Sequence, residues 1–226
     1  LYTDEGSADM VFENNLIYRT KTGSVHQHYG RENVFRNNIL ALSMDGQIQR
    51  SSIEDHTSVI LTNNIIYWDN ASAAFWRGHA GVSGTVTDAV VNANTYWNPN
   101  GIPTNAFNCG TWEAWRAAGQ DAQSQCADPL FRNVRDDDFR LKASSPALKT
   151  GFKPIDASRA GVYGARAWRK TATRVRWPEV QFAPEPQPFV VLRLDENFDA
   201  MPLKAPFPSV STHVENKRDS VAVTDE

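Results

Sequence analysis

Two histidines separated by one residue, His26 and His28, follow an adjacent pair of carboxylic acids, Asp4 and Glu5, with a spacing of 23 residues between Glu5 and His28. Imidazole and carboxyl groups are the side chains most used for proton transfer. Hydrolysis of a glycosidic bond needs two carboxyl groups, one that protonates the leaving oxygen and one that activates water or attacks the sugar. The two pairs could therefore perform acid–base chemistry if the fold places them on one surface.

A repeated segment built around paired Asn residues must position them, and its copies are residues 11–18, 34–41, 60–67 and, more loosely, 90–97. The second Asn of each copy is Asn15, Asn38, Asn64 and Asn94, so the repeat lengthens from 23 to 26 to 30 residues. Asn tolerates the left-handed backbone conformation that a sharp corner between two short strands requires. The pattern has no helical periodicity and predicts an all-β fold, a right-handed parallel β-helix, with the second Asn side chains hydrogen-bonded in a ladder.

Stacked turns of such a coil make the candidate residues neighbours on one parallel sheet. A shift of 23 residues places Thr3 over His26, Asp4 over Gln27 and Glu5 over His28. Side chains alternate between the two faces of a strand. With Val25, Ile48 and Phe75 pointing inward, the expected outward columns are His26, Gln49 and Trp76, and Glu5, His28 and Ser51. The predicted surface groove contains Glu5, His26, His28, Gln49 and Arg50. A solvated strand face without a ligand is the alternative.

Composition limits the classes of partner. The chain has 226 residues, 41% hydrophobic and 22% charged, which is ordinary for a folded globular protein. A net charge of −3 gives no reason to expect nucleic-acid binding, and no apolar run is long enough to span a membrane. The chain opens at Leu1, without Met and within a strand-like pattern, so we expect a fragment that lacks the first turns of the coil.

The pattern changes along the chain and predicts three regions. Residues 1–165 are the C-terminal turns and cap of the coil, with a short helix over residues 111–120 that Thr111 begins and Gly119 ends, and a last partial turn over residues 127–148. Residues 166–188, rich in Arg, Trp and Pro, read as an extended linker. Residues 189–226 read as the start of a truncated β-sandwich module. Cys109 and Cys126 flank the short helix, and we predict a disulfide between them, with two separate thiols as the alternative.

Several stretches together resemble the C-terminal half of bacterial right-handed β-helix proteins of polysaccharide-degrading systems. They are residues 2–7, the Asn-Asn turns, and residues 26–30, 127–131 and 145–147. This group is similar to pectate-lyase-like glycoside hydrolases and lyases, whose members often carry a lectin-like sandwich module. The resemblance covers about residues 1–165. It implies a carbohydrate-active protein, a glycoside hydrolase before a lyase, that acts on a plant or algal polysaccharide. Its expected location is secreted, periplasmic or on the cell surface. The same superfamily contains non-catalytic surface proteins, so a carbohydrate-binding role is also open.

The candidate catalytic residues are Asp4, Glu5, His26, His28 and Arg50, and the candidate substrate-binding residues are Gln27, Tyr29, Gln47, Gln49, Trp76 and Arg77. Asp4 and Glu5 would face opposite sides of a regular strand, so only one of them is expected to act. Its partner would be Glu32, Glu54, Asp55 or a group in the missing turns, and Asp4 pointing inward is an alternative. A lyase would instead use a base and a cation that neutralises a uronate carboxylate, roles open to Arg50, Arg77 and the two histidines.

No cofactor is expected, because the sequence lacks a phosphate-binding Gly-rich loop, a nucleophile elbow and paired zinc cysteines. His26 and His28 could also hold a metal, with Glu5 or His56 as third ligand, but hydrogen bonding and stacking of the same imidazoles with a sugar is the expected use. The expected partner is a polysaccharide or oligosaccharide, bound by a monomer.

Overall fold

Three parallel sheets, each receiving one strand from every turn, form the body of the protein. The first sheet contains Tyr2–Thr3, Val25–Gln27, Gly46–Arg50 and Ala74–Gly78. The second contains Val11–Glu13, Asn33–Arg36, Val59–Thr62 and Ala89–Asn92. The third contains Leu16–Tyr18, Ile39–Ala41, Ile65–Tyr67, Thr95–Trp97 and Gln125–Cys126. This computed structural model confirms the predicted parallel β-helix, with about four turns.

The structure describes residues 1–71, 73–78, 88–103, 106–107, 111–158, 160–176, 178, 191–193 and 211–213. Shorter elements complete this part of the chain. Ser7–Ala8 pairs in parallel with Gly30–Arg31, and Phe131–Asn133 pairs in antiparallel fashion with Asp138–Leu141. Helix α1 is Trp112–Ala117 and helix α2 is Arg166–Arg174, and 3-10 turns occupy Val134–Asp136 and Pro146–Thr150.

The Asn pairs turn the corner between the second and third sheets. The first Asn of each pair has a left-handed backbone, with φ of 59° at Asn14, 52° at Asn37 and 56° at Asn63. Asn is the non-glycine residue best suited to that conformation, because its short polar side chain can bond locally. Asn37, for example, donates from Nδ2 to Asn14 Oδ1 at 2.8 Å. The fourth corner has Ala93 instead, with φ of 56°.

The second Asn of each pair forms the predicted ladder along the coil. Asn15 Nδ2 donates to Asn38 Oδ1 at 2.9 Å, and Asn38 and Asn64 repeat the contact to the next turn at 3.1 Å. The last member, Asn94, donates to Asp121 Oδ1 at 3.3 Å. The buried amides are thus paired from turn to turn, which removes the cost of leaving polar groups unsatisfied in a core.

We expect Ala93→Asn to stabilise the protein. An alanine in the left-handed region is strained, whereas Asn occupies this position in the other three corners, so the exchange should raise the free energy of unfolding by about 1 kcal/mol. Urea unfolding of the variant and the parent measures the difference. Ala143→Asn, at an exposed site without positive φ, is the matched control and should change little. Equal effects of the two changes would contradict the strain argument.

Apolar side chains fill the interior of the coil and also cover one outer face. Inside, Phe12 and Phe35 stack with ring centroids 4.9 Å apart, one turn above the other. Outside the third sheet, Phe131 and Phe139 pack over Ile39, Ile65 and their neighbours. The central strands Ile39–Ala41 and Ile65–Tyr67 are therefore largely buried on both faces, and their sequence is continuously apolar for that reason. The antiparallel pair at Phe131 and Phe139 covers a side of the coil, whereas the sequence indicated a partial turn closing its end.

Helix α1 closes the end instead. Thr111 accepts a hydrogen bond from Ala114 N at 3.2 Å, as expected for its cap, and Trp115 is buried. Asp121 accepts from Tyr96 Oη at 2.8 Å and from Trp115 Nε1 at 2.6 Å, and also from Ser124 Oγ. One carboxylate thereby joins the ladder, the aromatic core and the helix.

Two compact units divide the chain, residues Leu1–Val175 and Arg176–Glu226. Helix α2 corrects the linker prediction, because its nine residues are helical where an extended segment was expected. In the second unit, Val191–Arg193 and Ser211–His213 form an antiparallel pair of strands. The predicted disulfide stays a prediction, since Cys109 lies outside the described residues.

Candidate functional site

The outer face of the first sheet has a register that differs by one residue from the predicted one. Tyr2, not Thr3, lies opposite His26, and the column continues through Gln49 to Arg77. Tyr2 is the most exposed of these side chains, at 54%. Its ring lies 4.8 Å from that of His26. The outward column therefore begins with an aromatic ring that the predicted groove did not include.

Asp4 and Glu5 both reach the same imidazole. His28 Nδ1 lies 3.2 Å from Asp4 Oδ1 and 3.9 Å from Glu5 Oε1. The strand ends at Thr3, and Gly6, with φ of 70°, continues a turn in which Ser7 N bonds Asp4 O. Alternation between faces does not apply in a turn, so the expectation that the two carboxyl groups face opposite sides is wrong.

Tyr2 completes this group. Its hydroxyl donates to Asp4 Oδ1 at 2.8 Å and lies 3.5 Å from His28 Nδ1. We call Tyr2, Asp4, Glu5, His26 and His28 the histidine cluster. The sequence analysis did not include Tyr2, because a shift of 23 residues aligns Thr3 with His26. A shift one residue longer aligns Tyr2 with His26, as the structure shows.

The hydrogen bonds of Asp4 determine its charge. The backbone N–H of Glu5, the Tyr2 hydroxyl and His28 together hold the pKa of the Asp4 carboxyl below its usual value. The same bond to Asp4 raises the pKa of Tyr2. At neutral pH Asp4 is therefore an anion and Tyr2 a neutral hydroxyl, so Asp4 suits the role of base or nucleophile and cannot be the proton donor.

His26 has a separate partner. Its Nε2 lies 2.7 Å from Ser51 Oγ, at the end of the next strand of the sheet. Burial lowers the pKa of His26, and the neighbouring His28 lowers it further. His26 is therefore uncharged near neutral pH and can exchange hydrogen bonds with Ser51 without bringing a positive charge to the cluster.

Four residues of the predicted site are buried and cannot touch a ligand on this face. Arg50 is 1% exposed and donates from Nη1 to Asp88 Oδ1 at 2.8 Å and from Nε to Gln27 Oε1 at 2.8 Å. Trp76 lies over Ile48 inside the coil and packs against the Arg50 guanidinium, 5.3 Å from its ring. Gln47 is also buried, where its amide bonds the backbone of Ser43.

Alternation explains two of these burials. Gln27 and Arg50 lie two residues after the inward Val25 and Ile48, so their side chains also point into the coil. Gln47 and Trp76 are buried although each is adjacent to an inward residue. A buried guanidinium must be paired, and Asp88 supplies the partner. Arg50, Gln27, Gln47 and Trp76 are thus removed from the candidate site.

The remaining candidates lie around the cluster. Tyr29 contacts the ring of His28 at 5.1 Å, and desolvation and a hydrogen bond with Glu5 raise the pKa of Tyr29. Arg77 donates to Asp45 Oδ2 at 3.0 Å. Gln49 is half-buried, and its Oε1 has no hydrogen-bond partner among the described residues.

The carboxylates proposed as partners from later turns have other contacts. Glu54 Oε2 accepts from the backbone of Gly30 at 2.7 Å, and His56 Nε2 lies 3.5 Å from the same carboxylate. Asp55 lies 3.7 Å from His56 Nδ1, and Glu32 has a left-handed backbone at φ 51°. In the described ranges no three His, Cys, Asp or Glu side chains are grouped as metal ligands.

The described cavities lie away from the cluster. One of about 420 Å³ lies between the third sheet and the antiparallel pair, lined by Leu16, Ile39, Phe139 and Ile155 among others. Two of its charged lining residues, Asp138 and Arg140, pair with each other at 2.6 Å. None of the residues that line this cavity belongs to the cluster, whose carboxylates are exposed to solvent.

We expect Tyr2→Phe to raise the pKa of Asp4. The change removes a hydrogen bond to the ionised carboxylate, so the charged form loses stabilisation and protonates at higher pH. Carboxyl carbon shifts followed by NMR during an acid titration measure the value. Tyr18→Phe, which removes a hydroxyl from another exposed tyrosine, is the control. An unchanged Asp4 titration in Tyr2→Phe would show that the hydroxyl does not stabilise the anion.

Comparison with known proteins adds no relative. No helix in the described part of the chain has both the length and the apolar character needed to cross a bilayer. No protein-family model, curated protein or solved structure matches this chain.

Proposed function

We propose that the chain hydrolyses glycosidic bonds of an extracellular polysaccharide at the histidine cluster. The observation that carries the proposal is the contact of two carboxylates, Asp4 and Glu5, with one imidazole nitrogen of His28. Two carboxyl groups about 5 to 9.5 Å apart are the usual machinery of glycoside hydrolysis. Groups that share one neighbouring atom are close enough to flank a single bond.

The charge of Asp4 supports its proposed role, and Glu5 takes the other. Asp4, held as an anion, activates water or attacks the anomeric carbon, and Glu5 delivers the proton to the leaving oxygen. His28 positions both carboxylates through its Nδ1 edge. Tyr2 offers an exposed ring against which a sugar can stack, and its hydroxyl, after the backbone N–H of Glu5, contributes to the lowered pKa of Asp4.

The openness of the site favours a long substrate. The Asp4 and Glu5 side chains are 69% and 62% exposed, and they lie on a sheet face and its adjoining turn, away from the described cavities. A polymer can lie across such a face without threading an end into it. A polymer of plant or algal origin would be met outside the cytoplasm, so the proposal includes a secreted, periplasmic or surface location.

Lyase chemistry, the alternative reaction, loses support. It needs a cation to neutralise the uronate carboxylate. Arg50 is buried against Asp88, Arg77 is paired with Asp45, and His26 is uncharged near neutral pH. Among the described candidates, only His28 remains for that role, and it already contacts two carboxylates.

Glycan binding without turnover is the second candidate function. The hydrogen bonding of Asp4 favours it. Asp4 Oδ1 accepts from the Tyr2 hydroxyl and contacts His28 Nδ1, so this oxygen is already engaged in a network that can serve structure alone. A ring next to such a network can hold a sugar without cleaving it.

The test is turnover of a panel of neutral and acidic polysaccharides by the full-length protein, with binding measured in parallel by calorimetry. New reducing ends without unsaturated products support hydrolysis. Unsaturated products indicate the lyase. Binding without either product would overturn the enzyme and leave the binding module.

A further inference from the structure

The segment around helix α2 concentrates positive charge. Residues 160–176 contain five cations and no acid, in a chain whose net charge is −3. The cations are Arg166, Arg169, Lys170, Arg174 and Arg176. Not one of them forms an ion pair with a described residue, although exposed cations elsewhere, such as Arg36 with Glu13, do. Uncompensated like charges repel one another, so a surface of this kind gains most from an anionic partner.

Helix α2 has a cationic side and an apolar side. At 3.6 residues per turn, Trp168, Ala172 and Val175 fall on one side. Arg166, Arg169, Lys170 and Arg174 fall on the other. Trp168 is 63% exposed, and no residue of the helix is buried. The helix therefore contributes little to the core, and neither of its faces is covered by the described part of the chain.

A cavity connects the helix to the loop before it. Its volume is about 620 Å³, and it is lined by Ser158, Ala160, Val162, Tyr163 and Arg169. Tyr163 is 83% exposed, so its ring is free to receive a flat partner. Arg169 supplies a planar guanidinium that can bind a carboxylate or a sulfate through two parallel hydrogen bonds. The volume lies within the usual range for small-ligand sites, about 300–1,000 Å³.

We propose that this cavity and the cationic side of helix α2 bind an acidic polysaccharide, with one uronate or sulfated sugar held between Tyr163 and Arg169. The neighbouring cations of helix α2 contact the next carboxylate or sulfate groups along the polymer. Only the choice of a sugar polymer, among other polyanions, rests on the proposed function. The site shares no residue with the histidine cluster, so it would hold the polymer while the cluster acts elsewhere on it.

A membrane surface fits less well. Helix α2 has nine residues and a length of about 13.5 Å. Its apolar side contributes only Trp168, Ala172 and Val175, which is little area for insertion into a bilayer. A cavity with an aromatic ring and a guanidinium also has no use on a flat lipid surface, whereas it suits a ring with an attached carboxylate.

The experiment compares the full chain with a variant that carries Arg166→Gln, Arg169→Gln, Lys170→Gln and Arg174→Gln. The probes are polygalacturonate, neutral dextran, and vesicles containing phosphatidylserine, at low and high salt. We expect the parent to bind polygalacturonate in a salt-dependent manner, and the variant to bind it about ten-fold or more weakly with a smaller salt dependence. The matched control neutralises three exposed lysines, Lys142, Lys149 and Lys153, and should bind as the parent does.

Tyr163→Ala separates stacking from charge. It should weaken polygalacturonate binding about ten-fold while leaving the salt dependence unchanged, because it removes no charge. Unchanged binding in the four-site variant, or vesicle binding without polygalacturonate binding, would overturn the proposal. Asp4→Asn should bind normally at helix α2 even when it has lost turnover. A parent that binds polygalacturonate but cleaves nothing would refute the proposed hydrolysis and support this site.

Discussion

Asp4→Asn and Glu5→Gln are each expected to lower turnover of the cleaved polysaccharide by about 10²–10⁴, with little change in its binding. The amides keep the shape of the carboxyl groups but cannot exchange a proton or attack a sugar. Both carboxylates contact His28 and are exposed to solvent, so neither change leaves a buried group unpaired. Initial rates with the full-length protein, together with calorimetric binding, measure the two effects separately.

Asp9→Asn is the matched control for this experiment. Asp9 is an exposed carboxylate close in sequence that lies 3.8 Å from Arg31, outside the histidine cluster. Its loss should leave turnover unchanged. If Asp4→Asn and Asp9→Asn behave alike, Asp4 is not catalytic.

The pH profile gives a second reading of the same site. Because hydrogen bonds lower the pKa of Asp4 below 3.8, activity that needs the anion should persist to pH values below 3.8 and fall only as pH drops through the lowered pKa. Tyr2→Phe should move that acid limb upward.

Asp88→Ala should destabilise the fold by about 3–5 kcal/mol, the largest stability effect we expect. The side chains of Asp88 and Arg50 are 1% and 0% exposed, and the guanidinium bonds both carboxylate oxygens. Removing Asp88 leaves a charged group inside the coil without its partner. Urea unfolding followed by circular dichroism measures the loss.

Glu13→Gln is the control for the buried pair. Glu13 pairs with Arg36 at 2.6 Å, but both side chains are about half exposed, so the loss should stay below about 1 kcal/mol. The double change Arg50→Met with Asp88→Leu should recover much of the stability, since apolar side chains of similar size can replace a buried ion pair. A cost for Asp88→Ala no greater than that of Glu13→Gln would show that the pair is not isolated from water.

The Asn corners were predictable because their cause is local. A left-handed corner favours Asn whatever surrounds it, and the amides then stack at the spacing of the repeat, 23, 26 and 30 residues. The first sheet has no such marker. There the offset from Tyr2 to His26 is one residue longer than from His26 to Gln49, and nothing in the sequence shows where the extra residue lies.

Burial of the predicted site residues had a different cause. Arg50 and Asp88 are 38 residues apart, so their pairing follows from the closed coil and not from any local pattern. Trp76 was placed outward by alternation from Phe75, yet both rings are buried. The amides of both residues point to the carbonyl of Ala106, at 3.0 and 3.3 Å, which interrupts the regular alternation at this point.

Asp121, at the end of the Asn ladder, limits where whole turns can be added to the coil. The amides of Asn38, Asn64 and Asn94 each accept from the turn before and donate onward, so an inserted turn is compatible as long as it brings its own Asn. An ionised Asp121 accepts from Asn94 and its other donors but has no N–H to pass onward. Asp121 therefore ends the ladder. Duplication of whole turns before Asp121 would preserve the amide-to-amide hydrogen bonds. The first amide of a turn added after Asp121 would receive no hydrogen bond from the ladder.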